Sequence, residues 1–438
     1  MSPTPPRVRG RVPFVRAGLS FLAEPTEFLE RTRAEYGDTF LLEAFGFQLF
    51  MTFAPAGLRR LYQAPEDVAS FTEATRTLIG FKLPDALLEG DMGVFHKLFA
   101  GDRMPSYLGH MAAAVQEDID ALPPAGALEL FTRAKLLVHR LGFRCWIGPE
   151  AASPGTLERL RDCFERLDPE EAFVRPHRIF LTLLTRKAPE RRALRRAAGI
   201  LEEIWRGRGG AGEGDLLSAL QARHAAKAPR ARARAVAAEV MILHLASLSN
   251  LYAALAWTLA ELLTRPALRE QVTEECMSIR SGEITTAALA GLPTLDACAY
   301  EAIRVAQRSL TLRRVLQPCV LDDGRRRYTL QPGVLLATML SVTNRDGPGL
   351  DRFDPAHYQR GRPTMPLPTR EHVSTFGHGL HACPGRRFAI AAIKIAVAGY
   401  LTRLELAPRF TSVSPRPGQL GAVARAAAPC VVDFRKRS

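Results

Sequence analysis

The segment 239–263, EVMILHLASLSNLYAALAWTLAELL, constrains this chain more than any other. It is long, apolar and rich in alanine, and it runs on to Arg265-Pro266. As an α-helix it spans about 37 Å, enough to cross a whole domain. A helix that is apolar on every side belongs in the interior, so the fold has to wrap around it. Ala246 and Ser247 are small, and small side chains let a flat group come close to the helix. Taken alone, the segment reads as a core helix.

The rest of the chain supplies elements to cover it. Helical periodicity marks residues 25–36, PTEFLERTRAEY, ending at Gly37-Asp38. It dominates from about 108 to 306, with breaks at Pro149, Pro154, Pro169 and 207–214. Residues 39–53 are rich in apolar and aromatic side chains, as a β-hairpin would be. A second β-rich patch covers 315–340, with Asp322-Asp323-Gly324 as the turn between two strands. A long irregular stretch to about Ser374, a helix over 383–404 and a short β-like tail follow. There is no internal repeat, and the Gly-rich 206–214 reads as a surface loop. We therefore expect one domain over residues 1–438, mainly α with a small β-rich portion. Its first 20 residues are expected as a flexible arm.

With 47% hydrophobic and 24% charged residues, the composition is that of an ordinary soluble globular protein. The N-terminal apolar run is too short and broken for a signal peptide, and no transmembrane anchor is expected. The reading is a cytoplasmic protein. A net charge of +14 raises nucleic acid as a partner. Arginine is spread over the chain, however, without interleaved aromatic stacking groups, so no nucleic acid is expected. The densest basic run, 229–236, reads as a solvated loop and helix start, and a basic face suits an acidic protein partner better. The seven cysteines are scattered and form no Cys-x-x-Cys pair. Six suit a buried, reduced role.

Cys383 differs. It sits in Phe376-Gly-His-Gly-Leu-His-Ala-Cys-Pro-Gly385, where Gly377, Gly379 and Gly385 give permissive backbone on both sides. Pro384 can open a helix whose dipole favours an anion at its start, and Arg386 and Arg387 add positive charge. Such surroundings favour a thiolate. The pattern Phe376-x-x-Gly379-x-x-x-Cys383-x-Gly385 resembles the haem-binding signature of the cytochrome P450 family. A second motif, Glu301-Ala-Ile-Arg304, puts a carboxylate and a guanidinium on one helix face. It resembles that family's Glu-x-x-Arg pair, and Asp354-Pro-Ala-His357-Tyr358 places His357 where the family more often has arginine. The resemblance makes Glu301, Arg304 and His357 a structural lock behind the haem.

The resemblance also implies a P450-like fold, haem b (iron protoporphyrin IX) as cofactor, and Cys383 as the iron ligand, with Phe376 in the haem loop. It implies Arg313 and His381 at the haem propionates, with His96 and Lys97 in the region of a further propionate donor. The helix 239–263 then corresponds to the distal helix, with Ala246 close to the cofactor. The family's small-Gly-x-acid-Thr pattern reads here Ala246-Ser247-Leu248-Ser249-Asn250. Ser249 and Asn250 stand at the catalytic positions, and an amide is a poor proton relay because it does not titrate near neutral pH. Asn at this place resembles members that rearrange peroxides without electron partners, and equally sterol 7α-hydroxylase-type monooxygenases.

The expected function is a haem-thiolate monooxygenase. It would insert one oxygen atom from O2 into a lipophilic small molecule, with electrons from a ferredoxin-type or flavoprotein donor. A redox-neutral or peroxide-using isomerase, dehydratase or peroxygenase is the other reading. Phe81, Leu245, Leu248 and Leu251 are candidate apolar pocket residues.

Overall fold

Prolines mark where most of the long helices start, at a position whose missing N–H has no intrahelical partner to lose. The structure is a computed structural model describing residues 4–8, 10, 15–88, 99, 103–168, 182, 184–209, 215–280 and 283–437. Its principal helices in the first half are α1 (Pro25–Tyr36), α2 (Pro55–Gln63), α3 (Phe71–Ile79), α4 (Met104–Asp120), α5 (Leu130–Ile147), α6 (Pro154–Leu167) and α7 (Ala188–Gly207). Then follow α8 (Pro229–Leu263), α9 (Pro266–Met277), α10 (Pro293–Ala306) and α11 (Arg386–Arg403). The strands are β1 (Thr39–Ala44), β2 (Phe47–Thr52), β3 (Ala69–Ser70), β4 (Ala125–Glu129), β5 (Leu310–Val315) and β6 (Cys319–Asp322). They continue with β7 (Arg327–Leu330), β8 (Leu335–Met339), β9 (Tyr358–Gln359), β10 (Arg362–Pro363), β11 (Leu404–Pro408) and β12 (Val431–Lys436).

Helix α8 is the expected core helix, and it is longer than the apolar segment alone: 35 residues, or about 52 Å. The basic run after Pro229 forms its first turns rather than a loop. From Val236 to Leu263 every residue is buried except Ala246, Ser247, Ser249 and Asn250. By length and composition α8 could cross a membrane, but 72% of its most apolar window is buried inside the protein. Helices α5, α7, α10 and α11 pack around it. Trp257 meets Phe131 of α5 edge-on at 6.1 Å, and His244 stacks on Phe143 at 3.8 Å. One continuous apolar core runs through these helices, from Leu83 to Phe434.

The hairpin of 39–53 forms as expected, with Thr39 opposite Thr52, and extends into a five-stranded sheet of order β1-β2-β8-β5-β3. Strands β2 and β8 run parallel, and the other neighbours antiparallel. Phe40, Leu42, Met51, Phe53 and Leu312 fill a second core against this sheet. The turn Asp322–Gly324 joins β6 and β7, its Gly324 amide donating to Asp322 Oδ1.

Three expectations change. Strand β4 lies inside the stretch read as helical and pairs with β12, Leu128 opposite Val432. Helix α11 starts at Arg386, three residues later than expected, leaving Cys383, Pro384 and Gly385 in the turn before it. In the N-terminal arm, expected to be flexible, the described residues Pro6 and Val8 lie beside β1: Val8 N–H donates to Leu41 O at 2.9 Å, and Leu41 N–H to Pro6 O at 2.8 Å.

Candidate functional site

Two residues one helical turn apart on α10 anchor the region. Glu301 and Arg304 are both fully buried, and a buried ion pair survives only when its remaining donors and acceptors are met. Here they are. Arg304 Nε and Nη2 donate to Glu301 at 2.7 and 2.6 Å. The same guanidinium donates to the carbonyls of Asn344 (2.5 Å), Leu350 (2.7 Å) and Arg352 (2.8 Å). Glu301 Oε1 also accepts from Asp354 N–H and from His357 Nδ1, each at 2.9 Å. His357 thus joins the lock as expected.

The lock reaches the cysteine loop through two residues that the sequence did not flag. Asn344, fully buried, donates from Nδ2 to Arg304 O and Ser374 O, and its Oδ1 accepts from Ser374 N–H at 2.8 Å. Ser374 Oγ then accepts from Gly377 N–H at 3.1 Å, at the first bend of the loop. Gly377 has φ +72°, and a Cβ there would stand 2.9 Å from His381 O. Gly379 has φ +64° and would press Tyr62 O at 3.1 Å. Both positions therefore require glycine. Phe376 packs edge-on to Tyr300, and its carbonyl accepts from Cys383 N–H at 2.6 Å, closing the loop.

Cys383 is exposed. Enough protein surrounds its sulfur that burial is the largest influence on its pKa and raises it; the Gly385 amide and Arg386 pull the other way. The expected thiolate-favouring field of Arg386 and Arg387 is thus not dominant in the chain alone. Deprotonation would come with a bound cation, which removes a coordinating thiol's proton outright.

Arg313 and His381 meet. Strand β5 lies against β3, so Arg313, 2% exposed, donates to Ala69 O at 3.1 Å and Tyr62 O at 3.2 Å. Its Nη1 also lies 3.5 Å from Glu66 Oε2. The same oxygen is 3.0 Å from His381 Nε2. One carboxylate therefore bridges the two side chains expected at the propionates. Glu66 was not anticipated, and nothing in Pro65-Glu66-Asp67 marks it. His96 and Lys97 lie outside the described residues.

On α8 the only interruption in burial from Val236 onward is the patch expected to face the cofactor: Ala246 and Asn250 are exposed, Ser247 and Ser249 half-buried. Ser249 Oγ bonds back to Leu245 O and Ser247 Oγ to His244 O. Asn250 Oδ1 accepts from Val423 N–H at 3.0 Å, tying the helix to the C-terminal segment. Leu245, Leu248 and Leu251 are buried, and Phe81 packs on Phe47. Among the described residues no hydrogen bond joins the 246–250 patch to the cysteine loop.

The cysteine on its glycine-turned loop, the Arg313–His381 pair and the exposed patch of α8 are thus in place as three separate features. A model of the cytochrome P450 family matches residues 201–432, and the chain belongs to that family. It is an oxidoreductase. It is similar to the 24-hydroxycholesterol 7-alpha-hydroxylase of Mus musculus, 23% identical over 99% of this chain and 93% of that protein. The lanosterol 14-alpha demethylase of Cunninghamella elegans is 22% identical, over 91% of this chain and 84% of that protein. The cytochrome P450 monooxygenase gliF of Aspergillus fumigatus is 29% identical; there the match covers 47% of this chain and 44%, less than half, of that protein.

The family implies a haem iron cofactor. The residues present fit one. The cradle of Arg313 and His381 already holds a carboxylate, that of Glu66, as it would hold a propionate, and Cys383 presents its sulfur beside the Gly385 amide.

Proposed function

We propose that this protein is a haem-thiolate monooxygenase acting on a lipophilic small molecule. It would take two electrons from a redox partner, insert one atom of O2 into a C–H bond, and release the other as water with two protons. Cys383 would ligate the iron of haem b, and Arg313 and His381 would hold its propionates, with His96 and Lys97 as further donors. When bound, such a haem supplies O–O cleavage, because thiolate ligation pushes electron density onto the iron.

The remaining work falls to the chain. The Glu301–Arg304–His357 lock, through Asn344 and Ser374, fixes where the sulfur stands. Ala246 leaves room against α8, while Leu245, Leu248 and Leu251, expected to line a pocket, are buried in the core behind it. Arg386 and Arg387, exposed next to Cys383, suit an acidic ferredoxin-type or flavoprotein donor. We read residues 1–438 as one such domain, in the cytoplasm. Two near-full-length relatives are named for sterols, so a sterol panel is the first substrate screen.

The observation carrying this reading is the closed loop 376–383 held by a fully buried ion pair. The test is the ferrous–CO spectrum. We expect the red-shifted band of thiolate ligation, and its loss in Cys383→Ala with the fold retained. An unshifted band in the wild-type protein overturns the ligand assignment.

Ser249 and Asn250 favour a second reading, a redox-neutral or peroxide-using enzyme. Neither side chain titrates near neutral pH, and the Asn250 oxygen is occupied by Val423. Turnover that needs both reductant and O2 supports the first reading; full turnover without reductant supports the second.

A further inference from the structure

Glu66 is the one member of the cradle that haem binding does not call for. Its Oε2 lies 3.0 Å from His381 Nε2, 3.5 Å from Arg313 Nη1 and 3.1 Å from Phe71 N–H. Its Oε1 accepts from Ser70 Oγ and Thr72 N–H, both at 2.8 Å. Burial opposes the carboxylate, but the Thr72, Ser70 and Phe71 bonds outweigh it and hold its pKa down to about 2. It therefore stays charged in any ordinary buffer.

Those bonds also fix it in place. Ser70 caps α3, and Glu66 satisfies two more first-turn backbone donors, so swinging the carboxylate away would leave Phe71 and Thr72 N–H without that acceptor. A propionate arriving at Arg313 and His381 meets two donors already engaged by a resident negative charge. Like charges a few ångströms apart disfavour each other, less so where solvent screens them. Glu66 is about one-third exposed, so the effect is moderated but not abolished.

We propose that Glu66 is a built-in competitor for the haem carboxylates. It keeps Arg313 and His381 arranged before the cofactor is bound, and it weakens cofactor retention afterwards. This rests on the reading of the site as a haem site.

The test is haem loss from the loaded, full-length protein to excess apomyoglobin, followed by the Soret band, which requires no turnover. Glu66→Gln keeps one oxygen, for Ser70 and Thr72, while removing the charge and the acceptor of Phe71 N–H. It should lose haem about tenfold more slowly than wild type. An equal or faster loss overturns the proposal. In a His381→Ala background the gain from Glu66→Gln should shrink, because the shared donor is gone. An undiminished gain there would place the effect elsewhere and also overturn it. If Glu66→Gln does not fold, Glu66→Asp carries the test, since it draws the charge back by one methylene: slower loss supports the proposal and unchanged loss overturns it. A wild-type protein that takes up no haem would instead sink the underlying reading of the site. A wild type that does, with variants matching it, sinks only the role of Glu66.

Discussion

Arg304→Lys separates charge from geometry in the buried lock. Lysine keeps a cation beside Glu301, so the carboxylate is not left alone in the core. Arg304 makes five hydrogen bonds, two to Glu301 and three to the carbonyls of Asn344, Leu350 and Arg352. An ammonium has three donors on one atom and cannot span these directions. If it serves Glu301 and one carbonyl, two buried carbonyls lose their partner, at about 1–3 kcal/mol each. The expected loss is thus about 2–6 kcal/mol, a large share of the roughly 5–15 kcal/mol typical of a whole domain. Arg304→Met should cost more, because it also takes the ion-pair partner from a fully buried carboxylate, about 3–5 kcal/mol, leaving it the Asp354 and His357 bonds. Urea unfolding of both variants, followed by circular dichroism, measures this. A loss below about 1 kcal/mol for Arg304→Lys would refute the claim that the carbonyl bonds, and not the charge alone, hold the lock.

Two further outcomes follow from the same network and from the core beside it. Asn344→Ala leaves the buried Ser374 N–H without its acceptor and should cost about 2–4 kcal/mol, with faster haem loss, both readable by melting and Soret decay; a neutral result would break the proposed link from lock to loop. His139 and His244 share a hydrogen bond at 3.0 Å, near Glu165 and Lys135, and burial lowers both pKa values below the usual 6.5. The unfolded chain then binds more protons below that value, so their stabilising contribution is complete above about pH 6.5 and is lost as the pH falls from there. Each contributes a slope of up to about 1.4 kcal/mol per pH unit, and His244→Phe should lessen the acid slope of the urea midpoint; an unchanged slope would show that other groups carry it.

What was legible in the sequence was local. The helix at 25–36, the hairpin at 39–53 and the long apolar helix follow from periodicity over a few turns. The cysteine loop and the Glu301–Arg304 pair follow from fixed spacings, and the lock formed with His357 in it. What stayed hidden depends on segments far apart in the chain. Glu66 meets His381 across 315 positions, and Asn344 meets Ser374 across 30, each through a side chain that would be unremarkable alone. Strand β4 is hidden for the same reason, since Ala-Gly-Ala has no strand signal until β12 pairs with it. The Cys383 pKa was misjudged because nearby arginines are visible in a sequence, whereas burial is not.

The two sides of the site are built differently, and that bears on what can change without loss of the fold. Behind Cys383, Glu301, Arg304, Asn344 and Ser374 are all at most 1% exposed, and the bonds of Arg304 to Asn344 and of Asn344 to Ser374 join distant segments, so a substitution leaves buried groups unpartnered. On α8, among the described residues, Ser247 and Ser249 bond within their own helix, and Asn250 reaches out to Val423. Ala246 and Asn250 are exposed and not part of the packed core. Substitutions at 246, 247, 249 and 250 therefore cost less packing than one at the fully buried Leu248, while substitutions in the lock act on whether the loop exists at all. On the proposed monooxygenase reading, oxygen and substrate handling is altered through the helix patch while Cys383 stays where the lock puts it.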